Sequence, residues 1–231
     1  KINFNSHSLN EGPLGFIVDN QFLKKIFFEK INDSIYVDFI DDFEIKEIRQ
    51  NENNASIYSN KGKFNAQLLV GADGRYSKMR YFANIKSFFH DYKQVAFVFS
   101  IIHDKPHNSS AIEIFFPSGP LALLPMLNKK RNESSVVWTV EAYKKNELLN
   151  SNNFKKEFIK NYANVFGNIK KISKPVIYNL NIFSCYEYFK KRTVLIGDAC
   201  QAIHPIAGQG LNLGFRDALQ LGKVLIESKN L

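Results

Sequence analysis

The sequence predicts an α/β fold, and three observations carry the prediction. Two short apolar strands, at 68–70 and 194–196, each run into a glycine-containing turn and then a helix. Between them lies a block of longer strand-like runs, broken by one stretch of helical periodicity.

Taken in order, Asp19 stands at the head of a helix expected from 20 to about 31, where Phe22, Ile26, Phe27 and Lys30 recur at helical spacing. Strand-like runs then lead to Leu68-Leu69-Val70, bulky and apolar, which reads as a buried strand. Gly71-Ala72-Asp73-Gly74 makes the turn after it, and the Ser77 hydroxyl is placed to cap the short helix that follows. Longer strands are expected at 94–103, 111–116, 121–127, 135–143 and 175–186. One helix, 152–166, interrupts them with Phe154, Phe158, Ile159, Tyr162 and Phe166 along one side. Pro117, Gly119 and Pro120 force a turn that would bring Phe115 and Leu123 together as walls of an apolar cavity, with ordinary core packing as the alternative. Val194-Leu195-Ile196 ends abruptly at Gly197-Asp198, and a turn built on Pro205, Gly208 and Gly210 follows. Leu211, Phe215, Ala218, Leu219 and Leu225 then suit a helix packed against a sheet.

Strand, carboxylate, glycine turn and helix in that order place free backbone N–H groups and a positive dipole end beside Asp198. Such a site suits a ligand that carries hydroxyls and develops negative charge. Gly208 and Gly210 would let the backbone approach that ligand closely.

Residues 194–217 closely resemble the second flavin-binding motif of the FAD-dependent aromatic hydroxylases, G-D-A-x-x-x-x-x-P-x-x-G-Q-G-x-N. Many members carry His where this chain has Gln201; Gln201 followed by His204-Pro205-Ile206-Ala207 is most similar to the ubiquinone-biosynthesis branch, which acts on polyprenylated phenols. Residues 71–80 resemble the family motif G-A-D-G-x-x-S-x-x-R, which serves both FAD and the nicotinamide donor. Residues 114–125 resemble a stretch, F-x-P-x-G-P-x-A-L-L-P, where the substrate domain of the ubiquinone hydroxylases faces the flavin.

The resemblance implies part of a Rossmann-like FAD/NAD(P)-binding domain, at 1–92 and 191–231, with an inserted sheet-rich (α+β) substrate domain at 93–190. It implies FAD as cofactor, NAD(P)H as electron donor and molecular oxygen as co-substrate. The activity it implies is ring hydroxylation of a polyprenylated phenol or quinol in ubiquinone biosynthesis, with the chemistry carried by the flavin. Cofactor contacts fall on Gly71, Asp73, Gly74 and Arg80 in the first motif. In the second they fall on Gly197, Asp198, Pro205, Gly208, Gln209, Gly210, Leu211 and Asn212, with Asp198 on a sugar-chain hydroxyl and the N–H groups of Gly210, Leu211 and Asn212 facing the flavin's pyrimidine edge. Arg80 has three readings: a phosphate partner, a partner for Asp73, or a structural ion pair. Phe115, Pro117, Gly119, Leu123 and His204 form the substrate region, His204 being either a substrate contact or a structural imidazole bonded to backbone.

The chain begins at Lys1 and contains no G-x-G-x-x-G; Gly208, Gly210 and Gly214 come nearest, one residue out of register. The resemblance therefore implies a fragment, lacking about the first hundred residues and a C-terminal helical segment. At 231 residues, 45% hydrophobic and 23% charged, the composition suits a globular body with a sizeable core. No apolar run reaches the roughly 18–20 residues of a membrane span. Cys185 and Cys200 show no metal or redox spacing and read as reduced core residues, and the five histidines, His7, His90, His103, His107 and His204, show no ligand spacing.

The net charge of +9 is spread over lysine-rich pairs and triplets such as 129–131 and 190–192. Solvated surface is the plain reading; attraction to an anionic membrane face is the functional one. The expected location is cytoplasmic, with peripheral attachment at the inner membrane face or within a ubiquinone-synthesis complex. No nucleic-acid module surrounds the aromatics, so nucleic acid is not an expected partner. Another FAD-dependent aromatic hydroxylase, or a flavin-dependent halogenase or isoprenoid reductase sharing the FAD domain, is the enzyme rival, and the halogenase is weak because its paired-tryptophan motif is missing and Trp138 stands alone. A catalytically inactive accessory flavoprotein is the other, and intact Asp73, Asp198 and glycine turn argue against it.

Overall fold

The computed structural model describes residues 2–6, 12–127, 131–150 and 153–228. His7, Lys129, Lys130 and Asn152 lie outside the described residues, as does the side chain of Phe166. In chain order the elements are α1 (Asn20–Asn32), β1 (Ile45–Gln50), β2 (Ala55–Ser59), β3 (Gly62–Ala66), β4 (Leu69–Gly71), α2 (Lys78–Phe82) and β5 (Ser87–His103). There follow β6 (Ile112–Phe116), β7 (Gly119–Pro125), β8 (Glu133–Glu141), α3 (Lys145–Leu149), α4 (Asn153–Phe166), β9 (Ile169–Ile172) and β10 (Val176–Cys185). The chain closes with β11 (Phe189–Lys190), β12 (Thr193–Leu195), β13 (Gln201–Ala202) and α5 (Gln209–Glu227). This mixture of helices with parallel and antiparallel strands is the α/β class.

The helix expected after Asp19 is α1: the Asp19 carboxylate accepts from the backbone N–H of Gln21 at 2.7 Å and of Phe22 at 3.2 Å. Ser77 caps α2 by accepting from Arg80 N at 2.9 Å. Both caps satisfy donors that the first turn of a helix leaves open.

A seven-stranded antiparallel sheet, in the order β13-β10-β5-β8-β7-β6 with β9 paired to the end of β5, forms the larger layer. α4 covers one face with Phe154, Phe158 and Tyr162, spaced one turn apart. The Phe158 ring meets Phe99 edge-on at 4.9 Å, and Tyr162 meets Trp138 edge-on at 5.6 Å. Each fully buried Phe contributes roughly 1.5–3 kcal/mol by burial. β5 starts at Ser87, seven residues before the strand read from the sequence. A bulge explains the difference: Asn181 pairs with Asp91 but Leu180 with Gln94, so Tyr92 and Lys93 are extra, and Lys93 takes a positive φ of 55°. The inserted residues break the alternation on which a strand is recognised.

The smaller layer holds β11, β12 and β4. β12 and β4 are parallel, pairing Thr193 with Leu69, Val194 with Val70 and Leu195 with Gly71. The β1-β2-β3 meander is tied to them by Gln50, whose amide oxygen accepts from Arg192 N and Thr193 Oγ1. A second core collects Leu69, Met79, Ile85, Leu195 and Cys200 here.

α5 differs from expectation. Its contacts run through Gly214 and Asp217 to the turn at 197–199, while Leu211, Phe215 and Leu219 stay exposed, so the stripe expected to pack on a sheet faces outward. Phe215 meets Phe27 of α1 at 6.1 Å. Cys185 and Cys200 are free and buried. Among the described residues, no helix is long and apolar enough to cross a membrane.

Candidate functional site

The parallel pairing of β4 with β12 brings the two glycine motifs together. Because Gly71 and Leu195 are in register, Asp73 and Asp198 leave the carboxyl ends of neighbouring strands, the position where open α/β sheets take ligands. Residues 197–199 form one turn of 3-10 helix, and Gly197 sits at φ 57°. A Cβ at Gly197 would stand in ordinary contact, 3.6 Å from Gly214 Cα where the turn meets α5, so glycine is favoured there by its φ rather than by space. Asp217 fixes that contact by accepting from Gly197 N at 2.9 Å. Burial, reinforced by the Asp217 charge, pushes the Cys200 thiol up to about 12, so it stays protonated.

In the first motif both oxygens of Asp73 serve the local fold. Oδ1 accepts from Ser77 Oγ at 2.5 Å and Oδ2 from Met79 N at 3.0 Å. Gly71 has a packing reason, since a Cβ there would lie 2.6 Å from Leu195 Cδ2 and 2.8 Å from Met79 Cβ. Gly74 takes φ 80° with open space where a Cβ would stand. Arg80 pairs with no carboxylate among the described residues, which corrects the expected partnership with Asp73 or a structural ion pair. Its guanidinium donates to Ala199 O at 2.7 Å and to Arg75 O at 2.8 Å, and lies 4.7 Å from the Phe183 ring centroid. Arg80 thus bonds the second motif from the first.

Asp198 projects its carboxylate outward with 46% of the side chain exposed, 3.9 Å from Arg75 Nη2. Arg75 is steadied by donating to Asn181 Oδ1 at 2.9 Å. α5 begins after Gly208, whose φ of 61° suits glycine, and nothing lies within 4 Å of a Cβ built at Gly208 or Gly210. Leu211 and Asn212 are exposed in the first helical turn, and Pro205 opens the 3-10 turn that precedes it. An accessible carboxylate beside an uncovered helix start fits a hydroxylated, anionic cofactor such as FAD.

The substrate region divides between two faces of the large sheet. Phe115 pairs with Pro120 and Leu123 with Ile112, so Phe115 and Leu123 point to opposite faces. Leu123 is 3% exposed in the core beneath α4, while Phe115 is 68% exposed. The cavity expected between them does not form, because the pleat separates residues an odd number of register steps apart. Pro117 and Ser118 make the tip of the hairpin. Gly119, at φ 132°, is required there, because a Cβ would lie 2.9 Å from both Thr139 Cγ2 and Thr139 O.

His204 stands where this hairpin face meets the glycine turn. With Glu113, Pro120, Ala122, Val137, Thr139, Pro205 and Ile206 it lines a half-open cleft of about 10 Å³. Its ring meets Tyr92 edge-on at 5.2 Å. Nδ1 is buried and makes no hydrogen bond among the described residues, so the backbone-bonded imidazole expected as one alternative is not formed there. Burial lowers the His204 pKa and favours the neutral ring.

Arg75, Asp217 and Tyr92 were not among the residues singled out from sequence. Asp217 is the first acidic residue of α5, directly after Arg216, whereas Tyr92 depends on the bulge and Arg75 on a partner in β10.

These features define a flavin-site class of α/β protein, and comparison with known proteins agrees. A family model described as an FAD binding domain matches residues 22–230, and the chain belongs to that family. Ubiquinone hydroxylase UbiL of Rhodospirillum rubrum is 31% identical over 224 residues, covering 96% of this chain and 52% of the relative. Ubiquinone hydroxylase UbiM of Neisseria meningitidis is 29% identical, covering 94% of this chain and 47% of the relative. The chain spans about half the length of these curated relatives. Among solved structures, the flavin-dependent halogenase CmlS matches with a TM-score of 0.73 at 15% identity, covering 88% of this chain and 39% of that one, a likeness of fold alone.

Proposed function

We propose that the chain is the flavin-seating and substrate-facing part of an FAD- and NAD(P)H-dependent monooxygenase that hydroxylates the ring of a polyprenylated phenol or quinol in ubiquinone biosynthesis. The observation that carries the reading is the half-exposed Asp198 carboxylate just past the end of β12, with open backbone space at Gly208 and Gly210 where α5 begins. The relatives named as ubiquinone hydroxylases support the same substrate class.

Bound FAD, reduced by NAD(P)H, supplies the activation of molecular oxygen. The chain's own residues bind and orient. Asp198 would accept a hydrogen bond from a sugar-chain hydroxyl, and the N–H groups of Gly210, Leu211 and Asn212 would serve the pyrimidine edge, where the helix dipole favours negative charge. Pro205 and Gln209 complete that turn, and Gly74 and Gly197 take positive φ in the two motif turns. Phe115, Pro117 and Gly119 present the hairpin to the substrate ring, and His204 contacts it from the turn.

In this reading 1–92 and 191–231 belong to the FAD part and 93–190 to the inserted substrate part. They share a hydrogen-bonded edge, because β13 of the return segment pairs with β10 of the large sheet. A polyprenyl tail keeps the substrate in a membrane, and the +9 net charge favours approach to its anionic cytoplasmic face. The test is product mass after NAD(P)H, oxygen and a short-chain prenylphenol are added to the flavin-loaded full-length protein. One added oxygen atom, lost in Asp198→Ala, is the expected result. Bound flavin with no oxygenated product would overturn the substrate assignment.

A further inference from the structure

We propose that Glu113 accepts a hydrogen bond from a free ring hydroxyl of the substrate, so that the site admits a phenol or quinol and turns away the methyl ether of that hydroxyl. The inference rests on the hydroxylase reading above and narrows its substrate class.

The first argument is direction. Leu121 and Leu123 are buried in the core beneath α4, so Ala122 between them points to the opposite face of the sheet. Glu113 pairs with Ala122 across the β6–β7 hairpin and therefore shares that face, two residues from Phe115. There it lines the half-open cleft together with His204, Pro205 and Ile206. Pro205 and Ile206 lead into the 3-10 turn that ends at Gly208, directly ahead of α5. The acid thus shares a cleft with the turn assigned to FAD.

The second argument is that the fold makes no use of this carboxylate. Glu113 is the one polar residue of β6, flanked by Ile112 and Ile114, and it is only partly exposed. Drawing a carboxylate away from water is costly unless it is paired. Among the described residues Glu113 makes no hydrogen bond or ion pair. Its oxygens are not sealed in, because the buried polar side-chain atoms without a partner there are Trp138 Nε1 and His204 Nδ1. An acceptor is left open on the face that meets the glycine turn.

The third argument is size and donor chemistry. A half-open cleft of about 10 Å³ has room for one hydroxyl-sized group, and a methoxy group brings an extra carbon. A carboxylate only accepts, so a hydroxyl satisfies it. An ether oxygen donates nothing and sets a second acceptor against it. Pro120, Ala122 and Val137 make the neighbouring lining apolar, which suits the ring that carries the hydroxyl. The hydroxyl keeps its proton throughout, and the bond fixes the ring against the turn. A site built to bond a substrate hydroxyl discriminates against the analogue without one because its own polar group is then left unpaired.

The experiment titrates the flavin-loaded full-length protein with a short-chain prenylphenol, and separately with its methyl ether, reading dissociation constants from the change in flavin absorbance. Wild type, Glu113→Ala, Glu113→Leu and Glu113→Gln are compared. Wild type should bind the phenol more tightly than the ether by about tenfold or more, the worth of one hydrogen bond to a charged acceptor. In Glu113→Ala and Glu113→Leu the phenol should weaken by about that factor while the ether holds, so that the preference disappears. Glu113→Gln keeps an amide oxygen and should retain part of it. Flavin content should be the same in all four proteins. An unchanged phenol-to-ether ratio in Glu113→Ala and Glu113→Leu, or a loss that falls equally on both probes, would overturn the role. If wild type holds flavin but binds neither probe, the phenol-hydroxylase reading fails instead, and this inference with it.

Discussion

Replacing Arg80 by methionine removes a side chain that bonds both glycine motifs while keeping most of its apolar stem. The guanidinium donates to Ala199 O at 2.7 Å and Arg75 O at 2.8 Å and lies over the Phe183 ring. Hydrogen bonds from a charged donor contribute about 1.5–3 kcal/mol each, and partial exposure draws these toward the lower end. The cation–π contact adds about 0.5–1 kcal/mol. Ala199 is fully buried, so its carbonyl would keep only a long contact from Cys185 Sγ at 4.0 Å. The expected loss is about 3.5–4 kcal/mol, which at roughly 3 °C per kcal/mol lowers the melting temperature by about 10–12 °C. Thermal melts of the full-length protein, with and without FAD, read it directly. Arg80→Lys, with one reachable carbonyl, should recover part of the loss. A change of under about 0.5 kcal/mol in Arg80→Met would refute the claim that this residue ties the motifs together.

Three further outcomes follow from the same geometry. Asp198→Asn should weaken FAD binding by roughly tenfold to a hundredfold, the worth of one charge-assisted hydrogen bond, yet barely move the melting temperature of the flavin-free protein because the side chain is half exposed; flavin fluorescence titration checks the first half and a thermal melt without FAD the second. Leu123→Ala should cost about 2–5 kcal/mol in denaturant unfolding, whereas Phe115→Ala should leave stability nearly unchanged and raise KM for a prenylphenol. Burial lowers the pKa of both His103 and His204, so below the ordinary histidine value of about 6.5 the unfolded chain binds more protons than the native one. Stability should therefore be full near neutral pH and fall as pH drops from about 6.5; a fall that is no smaller in His204→Gln than in wild type would count against that sign for His204.

What could be seen in the sequence was local. The caps at Asp19 and Ser77 and the glycine turn each depend on a few neighbouring residues and stand where the pattern put them, while the two motif strands form one residue away, at Leu69–Gly71 and Thr193–Leu195, with Val70 exposed rather than buried. What escaped was long-range pairing. Arg80 reads as a phosphate or carboxylate partner until β4 is laid beside β12, which brings the Ala199 carbonyl within reach. Leu123 and Phe115 look like neighbours across a turn until the register assigns them opposite faces. Gly71 sits in a ligand motif, but the space it spares is needed by Leu195 and Met79. Tyr92 depends on a bulge that alternation cannot register, since two inserted residues erase the signal locally.

The most direct test of the central claim is a crystal structure of the full-length protein with FAD bound. A sugar-chain hydroxyl on the Asp198 carboxylate, with the pyrimidine edge against the N–H groups of Gly210, Leu211 and Asn212, is the expected arrangement. FAD seated away from that turn, or a full-length protein that retains no flavin, would contradict it.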